Sequence, residues 1–530
     1  MAEGFSSKRI IELTGELVRI DSVVGTKGER ELGDHLHDLL QRECGSLPGV
    51  SLQRIETDYG HCPPALMAFW RSPVETKRTI VLMGHYDVVG LEPYGSLADR
   101  ALDTEALRQA YAAGSDPDLK AAAADPDWVF GRGWLDMKSG IAVIIELFRT
   151  LASENELPLN LVLLITPDEE SQSRGLYAAL PELNRLRRER GLELVQIVNA
   201  DYMSPLFEGD ERHFIYSGTI GKFTLGLTVL GTTTHAGSPF GGVNAASLAG
   251  YLAFAVEHDR KFLQGHRGEW LPPPTVLHLA DRRRRYDVMT VESASLYANV
   301  FNIAADSKRL WRDTLQEIRR LVRRYDSEMR KRYNRFVARA DITPQRDARR
   351  PEVIDFATLL DRSAANMQRE PHVLLAEARA AASHEDERQR GIEVVNWLGA
   401  RLPQGRATVV ASLLHPWYPC RIENDQDRLD IMRRLCEEQG LTHFHIYPYI
   451  SDMSAFAWQG GVPELLGKCS ALDQQPDDIE MLESLACPVL NLGPWGSGAH
   501  TGQERSRLDW LSTGLPEAML SLIRMISQSH

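Results

Sequence analysis

Five side chains able to bind a divalent metal stand just beyond apolar runs or glycine-rich turns. They are His85 in GHYDVV, Asp136 in GRGWLDMKSG, Glu170 in TPDEES, Asp201 in VNADYM and His500 in GSGAHTGQE. Two imidazoles and three carboxylates supply nitrogen and oxygen donors that suit zinc first, and cobalt or manganese as well. Each residue also has an ordinary reading. A His-x-Asp pair arises by chance in a chain of 530 residues. Asp136, ahead of a helix, reads equally well as its N-cap. A lone histidine in a Gly-rich turn is usually just exposed. Their shared position at strand ends is what gives the five their weight.

The acidic turn Asp168-Glu169-Glu170 adds a second kind of chemistry. Three neighbouring carboxylates repel one another unless cations compensate. Adjacent residues point in different directions, so Glu170 can ligate while Glu169 faces a water as general base. His85 and Asp87 share one side of a strand. Asp87 can therefore receive the ring's second N–H, directly or through a bent backbone, and fix its tautomer. His235, in TTTHAGSP, reads by itself as a turn residue.

These residues need a scaffold. The runs TIVLM, LVLLI, LVQIV and CPVLNL are short, apolar and bounded by turn residues, as buried strands are. In an open α/β sheet, ligands bind beyond the carboxyl ends of such strands. MKSGIAVIIELFRTLA and SRGLYAALPELNRLRRER read as helices between them, so the pattern implies parallel βαβ units. Residues 8–42 read as two helices, with strands near 51–55, 65–70 and 79–83. The polar stretch 91–127 is long for a connection, so it carries its own helix or forms a lip. From Ser217 the pattern changes: GKFTLGLTVLG alternates as an antiparallel strand wetted on one face does. That segment, a strand in VESASLYANVFNI and one long charged helix make an inserted α+β unit. The resulting division is 1–216 and 400–530 for one domain, 217–340 for the insert, and 341–399 for a helical insertion of uncertain role.

Composition narrows the class. A net charge of −13 argues against nucleic acid as a partner. The six cysteines form no CxxC pair and are too sparse for a disulfide framework, which points to thiols in a reducing compartment. The N-terminal segment has charges within its apolar stretch and no cleavage site, unlike a signal peptide, and no run is long enough to span a bilayer. The expected address is cytoplasmic, with no membrane partner. DRRRR, from Asp281, reads as a solvated loop.

The order HxD, GRGxxDxK, DEE, Asp and a C-terminal His resembles metallopeptidase family M20, the aminoacylase and carboxypeptidase G-type zinc hydrolases. Length and the segments GHYDVVG, HPWYPC and YISDMS look like its arginine-utilisation branch. The resemblance implies a zinc-peptidase-like catalytic domain, with a mixed sheet flanked by helices, and an inserted α+β lid of dimerisation type. It implies two divalent metal ions: His85 and Asp201 on one, Glu170 and His500 on the other, Asp136 bridging. It makes Glu169 the general base, Asp87 the group that orients His85, His235 an oxyanion donor and Asn244 a substrate contact. It also implies a cis peptide after Asp136. The substrate would be a small peptide or N-acyl amino acid, within arginine catabolism. A lid-to-lid homodimer is implied too, although the insertion at 341–399 is atypical and bears on it. Ser139 stands where the family commonly has glycine. Two rivals remain open: a metal-binding regulatory protein of the same fold without turnover, and a two-metal phosphoesterase.

Overall fold

The structure is a computed structural model. It describes residues 6–57, 62–283, 285–303, 307–340, 350–403, 405–458 and 476–529. Cys469, Arg284 of the arginine run and residues 341–349 lie outside these.

The chain divides into two compact units. The first holds Met1–Thr219, Arg421–Trp458 and Met481–His530; the second holds Ile220–Cys420 and Gln459–Glu480.

The first unit is built on an eight-stranded mixed sheet. Its order is Val50–Ile55, Ala65–Trp70, Asn160–Thr166, Arg78–His85, Glu193–Asn199, Val489–Asn491, Phe214–Tyr216 and Thr442–Phe444. The four middle strands, from Asn160–Thr166 to Val489–Asn491, run parallel. The outer pair Val50–Ile55 and Ala65–Trp70 is antiparallel. Arg78–His85 and Asn160–Thr166 are buried along almost their whole length, as apolar runs covered on both faces must be. Because these middle strands are parallel, their carboxyl ends share one edge. His85 ends one of them, and Glu169, Glu170 and Asp201 follow closely on two others.

Helix Lys138–Glu154 packs against Arg78–His85 and is buried on nearly every side. Its Gly140 lies against the turn that presents Asp201. A Cβ there would sit 2.2 Å from the Ala200 carbonyl oxygen, so the backbones approach closely only because the side chain is missing. Ser139 fits without disturbance, donating its hydroxyl to the Trp134 carbonyl at 2.6 Å. The stretch 91–127 forms a 3-10 segment Glu92–Arg100 and helices Thr104–Ala113 and Pro117–Ala124. Asp103 and Asp116 cap the two helices. Tyr94, Leu107, Tyr111, Leu119 and Phe130 give this stretch a small core of its own.

The second unit has a five-stranded sheet ordered Thr275–Asp281, Ser293–Asn302, Gly221–Leu230, Thr408–Tyr418 and Glu352–Asp355. Two sequence expectations differ from what is seen. Alternation in Gly221–Leu230 predicts one wetted face, yet the strand is buried almost throughout. It lies between two partners, and helices Ala245–Val256 and Glu387–Gly399 both pack on it. The apolar run ATVVASLL, from Ala407, predicts that the α/β pattern of the first domain resumes there, within 400–530. Instead Thr408–Tyr418 pairs antiparallel with Gly221–Leu230, and the second unit continues to Cys420. An apolar run announces a strand without naming its partner. Helices Phe356–Met367, Pro371–Ala381 and Glu387–Gly399 fall within the stretch read as an insertion. They bury Phe356, Leu359, Leu374, Val395 and Leu398 with Ile354 and Val410 of the sheet, so they form part of this unit's core.

Candidate metal centre

Asp136 is the hinge of the site. The N-terminal cap of helix Lys138–Glu154 is Met137, and no side chain bonds there, so Asp136 is not a helix cap. The Asp136–Met137 peptide is cis. The two carboxylate oxygens of Asp136 face different histidines: Oδ1 lies 3.1 Å from His85 Nε2, and Oδ2 lies 2.9 Å from His500 Nε2. Two donor groups share this residue. His85, Asp136 and Asp201 form one, and Asp136, Glu170 and His500 the other. Within each, the ligand atoms lie within 4.8 Å of one another.

Backbone contacts aim these side chains. Asp87 is fully buried, and its two oxygens accept the N–H groups of Glu169 at 3.2 Å and Glu170 at 3.0 Å. Its carboxylate therefore shapes the acidic turn. The His85 ring rests chiefly on the main chain of Asp87, with Nδ1 3.1 Å from the carbonyl oxygen against 3.6 Å from the carboxylate. Glu29, also buried, accepts the N–H of Asp168 at 3.0 Å and of Gly25 at 2.7 Å. All three amides of the acidic turn thus end on carboxylates. Asn491 fixes Asp201 from both sides, accepting its N–H at 3.2 Å and donating to its carbonyl at 2.8 Å. His500 and Asp168 hold left-handed backbone, with φ of 62° and 65°. Such residues persist only where the surroundings determine them. Glu169 is mostly buried, with Oε2 3.9 Å from His85 Nε2.

The stretch 91–127 braces both the loop that carries His500 and the turn that ends at Asp136. The Tyr111 hydroxyl donates to the Gly502 carbonyl, and Trp134 Nε1 donates to Thr104 Oγ1 at 2.9 Å.

The electrostatics are those of a crowded acidic pocket. Burial raises Asp201 to about 7, helped by the charge of Asp136. Burial and then Asp136 raise Glu170 as well. Burial lifts Glu169 well above its ordinary range, with His85 pulling the other way. Asp136 is the exception: burial pushes it up, but hydrogen bonds from His500 and His85 outweigh that and hold it below the usual carboxylate range. Asp136 and Glu170 push His500 up to about 11. For His85, burial disfavours the charge, yet Glu169, Asp136 and Asp87 together keep the ring protonated well above its normal range. Protons here fill the place of positive charge.

A divalent cation fits this donor set. Among the described residues Glu170 Oε1 is buried and accepts no hydrogen bond, although His500 Nε2 stands 3.0 Å away. A buried carboxylate oxygen without a hydrogen bond, beside an imidazole nitrogen, is open to a cation. Nitrogen and carboxylate oxygen without thiolate suit zinc, manganese or cobalt.

His235 and Asn244 belong to the second unit. His235 is exposed, and its Nδ1 accepts the Gly237 N–H at 3.0 Å. Asn244 caps helix Ala245–Val256, accepting the Ala246 N–H at 3.1 Å. The five ligand candidates with Asp87 and Glu169 come together in the first unit; these two are not among them. Glu29, Asn491 and Glu504 also serve the site, and sequence reasoning passes over them. For Asn491 there is one cue, a polar side chain closing the apolar run CPVLN.

A mixed sheet with two histidines and several carboxylates gathered beside the carboxyl ends of its parallel middle strands defines the class, and comparison with known proteins narrows it. The chain belongs to the peptidase family M20/M25/M40, whose model matches residues 81–486. This is a family of hydrolases. The chain is 26% identical over 523 residues to protein RocB of Bacillus subtilis (strain 168), covering 94% of this chain and 91% of that protein. It is also 26% identical over 546 residues to the uncharacterised YqjN of the same organism, covering 98% and 97%. Among solved structures, aminopeptidase PepT of Bacillus cereus ATCC 10987 shares the fold, with a TM-score of 0.52 at 15% identity over 99% of this chain and 100% of that one. No helix among the described residues is long and apolar enough to cross a membrane.

Proposed function

We propose that the chain is a two-metal hydrolase that cleaves an amide bond in a small peptide or N-acyl amino acid. One observation carries this reading: Asp136 turns one oxygen to His85 at 3.1 Å and the other to His500 at 2.9 Å, and a further carboxylate completes each group. His85 and Asp201 would hold one cation and Glu170 and His500 the other, with Asp136 shared. Zinc is the first choice. The cations supply Lewis acidity, which polarises a carbonyl and acidifies water.

The chain's own groups do the rest. Glu169 is not needed as a ligand and lies beside His85, so it takes the proton from the attacking water and delivers it to the leaving amine. Asp87 keeps Glu169 and Glu170 apart by holding both of their amides. The family resemblance supports His235 as donor to the developing oxyanion and Asn244 as a substrate contact. The likeness to RocB, with the segments GHYDVVG, HPWYPC and YISDMS, supports a place in arginine utilisation.

The test is a panel of acyl amino acids and short peptides with added zinc, cobalt or manganese, following amine release. Glu169→Gln should keep its metal and lose about two to four orders of magnitude in turnover. A variant that binds metal and turns over normally removes Glu169 from the base role. A wild-type chain that binds metal and hydrolyses nothing on the panel favours the regulatory alternative.

A further inference from the structure

The turn that delivers Asp136 is wrapped around one carboxylate. Glu504 Oε1 accepts the backbone N–H of Gly133 at 2.8 Å, of Leu135 at 3.2 Å and of Asp136 itself at 3.3 Å. The other oxygen of Glu504 accepts from Arg132 Nη1. The Glu504 main-chain carbonyl takes the N–H of Gly131 at 3.2 Å. Arg132 Nη2 points to the carbonyls of Gly90 and Thr501, at 3.3 and 3.4 Å. The Tyr94 ring lies 5.3 Å from the guanidinium carbon. Arg132 is 1% exposed and Glu504 0%.

Three segments that carry ligand candidates therefore meet at one ion pair: the loop after His85 and Asp87, the turn ending at Asp136, and the loop next to His500. A buried ion pair is weak support for stability, since apolar residues of similar size often serve as well. This pair has more specific work. Without the carboxylate, three converging N–H groups lose their acceptor. Without the guanidinium fork, Thr501 loses its tie beside a histidine held in left-handed backbone. His85, at a strand end, and Asp201, pinned by Asn491, have supports of their own.

We propose that Arg132 and Glu504 are positioning residues that set Asp136 opposite His500. They thereby govern the affinity of the cation held by Asp136, Glu170 and His500 more than that of the cation held by His85, Asp136 and Asp201. The proposal rests on the two-metal reading above. Neither side chain touches a ligand atom; both act through backbone.

The experiment is calorimetric titration of the metal-free full-length chain with zinc, for wild type, Glu504→Gln, Arg132→Lys and the double variant Arg132→Met with Glu504→Met. Wild type should take two equivalents. Glu504→Gln should weaken one of them about 10–100-fold and leave the other near its original affinity, the usual cost of removing a group that supports a ligand. Arg132→Lys should do the same more mildly, because an ammonium keeps the charge but cannot span three acceptors. The double variant leaves no unpaired charge. It still leaves three N–H groups without their acceptor, so it should melt below wild type, yet its metal loss should be confined to one equivalent, which plain destabilisation does not produce. If Glu504→Gln does not fold, the other two variants decide. Both equivalents within twofold of wild type, or both weakened equally, overturns the proposal. A wild-type chain that takes up fewer than two equivalents sinks the two-metal reading, and this one with it.

Discussion

Loading the metal-free chain with a divalent cation should expel protons, and the number follows from the site. His500 is held protonated up to about 11 by Asp136 and Glu170, and His85 is held protonated well above its ordinary range. Both must give up a proton to ligate. Asp201, raised to about 7, carries a proton half of the time at neutral pH. Filling both donor groups at pH 7 should thus release at least about two protons. The sign is fixed: because the metal-free site holds these protons, affinity rises with pH. Each linked proton gives about a tenfold change in affinity per pH unit, so the product of the two affinities should fall at least about a hundredfold from pH 8 to 7. The assay is isothermal titration in buffers of matched pH but different ionisation enthalpy, where the slope of observed heat against buffer enthalpy counts protons. His500→Ala should lower the count by about one and abolish one equivalent. Fewer than one proton released, or an affinity flat between pH 6 and 8, refutes the reasoning that protons occupy the place of the cations.

Other consequences can be checked separately. The folded metal-free chain binds more protons at Asp201 than the unfolded chain between the ordinary aspartate range and about 7. Its stability should therefore fall as pH rises across that window and be partly restored by saturating zinc, as read by thermal melts with and without metal. Gly140→Ala forces a methyl group to 2.2 Å from the Ala200 carbonyl oxygen. It should cost about 1–3 kcal/mol of stability and weaken the cation held by Asp201, measured by denaturant unfolding and zinc titration. Asn491→Ala leaves both backbone groups of Asp201 without their side-chain partner. It should cost about 1–3 kcal/mol and affect the His85 side more than the His500 side, the reverse of Glu504→Gln. Leu163→Ala, in the fully buried strand Asn160–Thr166, should cost about 2–5 kcal/mol by cavity formation without changing metal stoichiometry.

The sequence makes the first sheet legible because its middle strands are continuous apolar runs, each followed at once by a polar turn. The ligand candidates could be read for the same reason: His85, Glu170 and Asp201 sit where such runs stop. What surrounds them was much harder to see. Glu29 lies in an amphipathic helix among other charged residues, and nothing local marks it as buried. Asp87 has an obvious role beside His85 in sequence, yet its carboxylate serves the amides of Glu169 and Glu170 across a separation of more than eighty residues. Arg132 and Glu504 are 372 positions apart, and single-sequence patterns do not show pairings at that range. The partner of Thr408–Tyr418 is hidden in the sequence for a related reason. Strand pairing is decided by the tertiary fold, whereas hydrophobicity reports only that a strand is buried. Residues 356–399 read as a polar helical stretch because their charged faces outnumber the few apolar positions, Phe356, Leu359, Leu374, Val395 and Leu398, that seal the second sheet.

The most direct measurement is anomalous diffraction from crystals of the full chain grown with zinc. Two peaks about 3.5–4 Å apart are expected, with Asp136 contributing one oxygen to each, His85 and Asp201 on one and Glu170 and His500 on the other. A single peak, or two peaks of which Asp136 touches only one, contradicts the account.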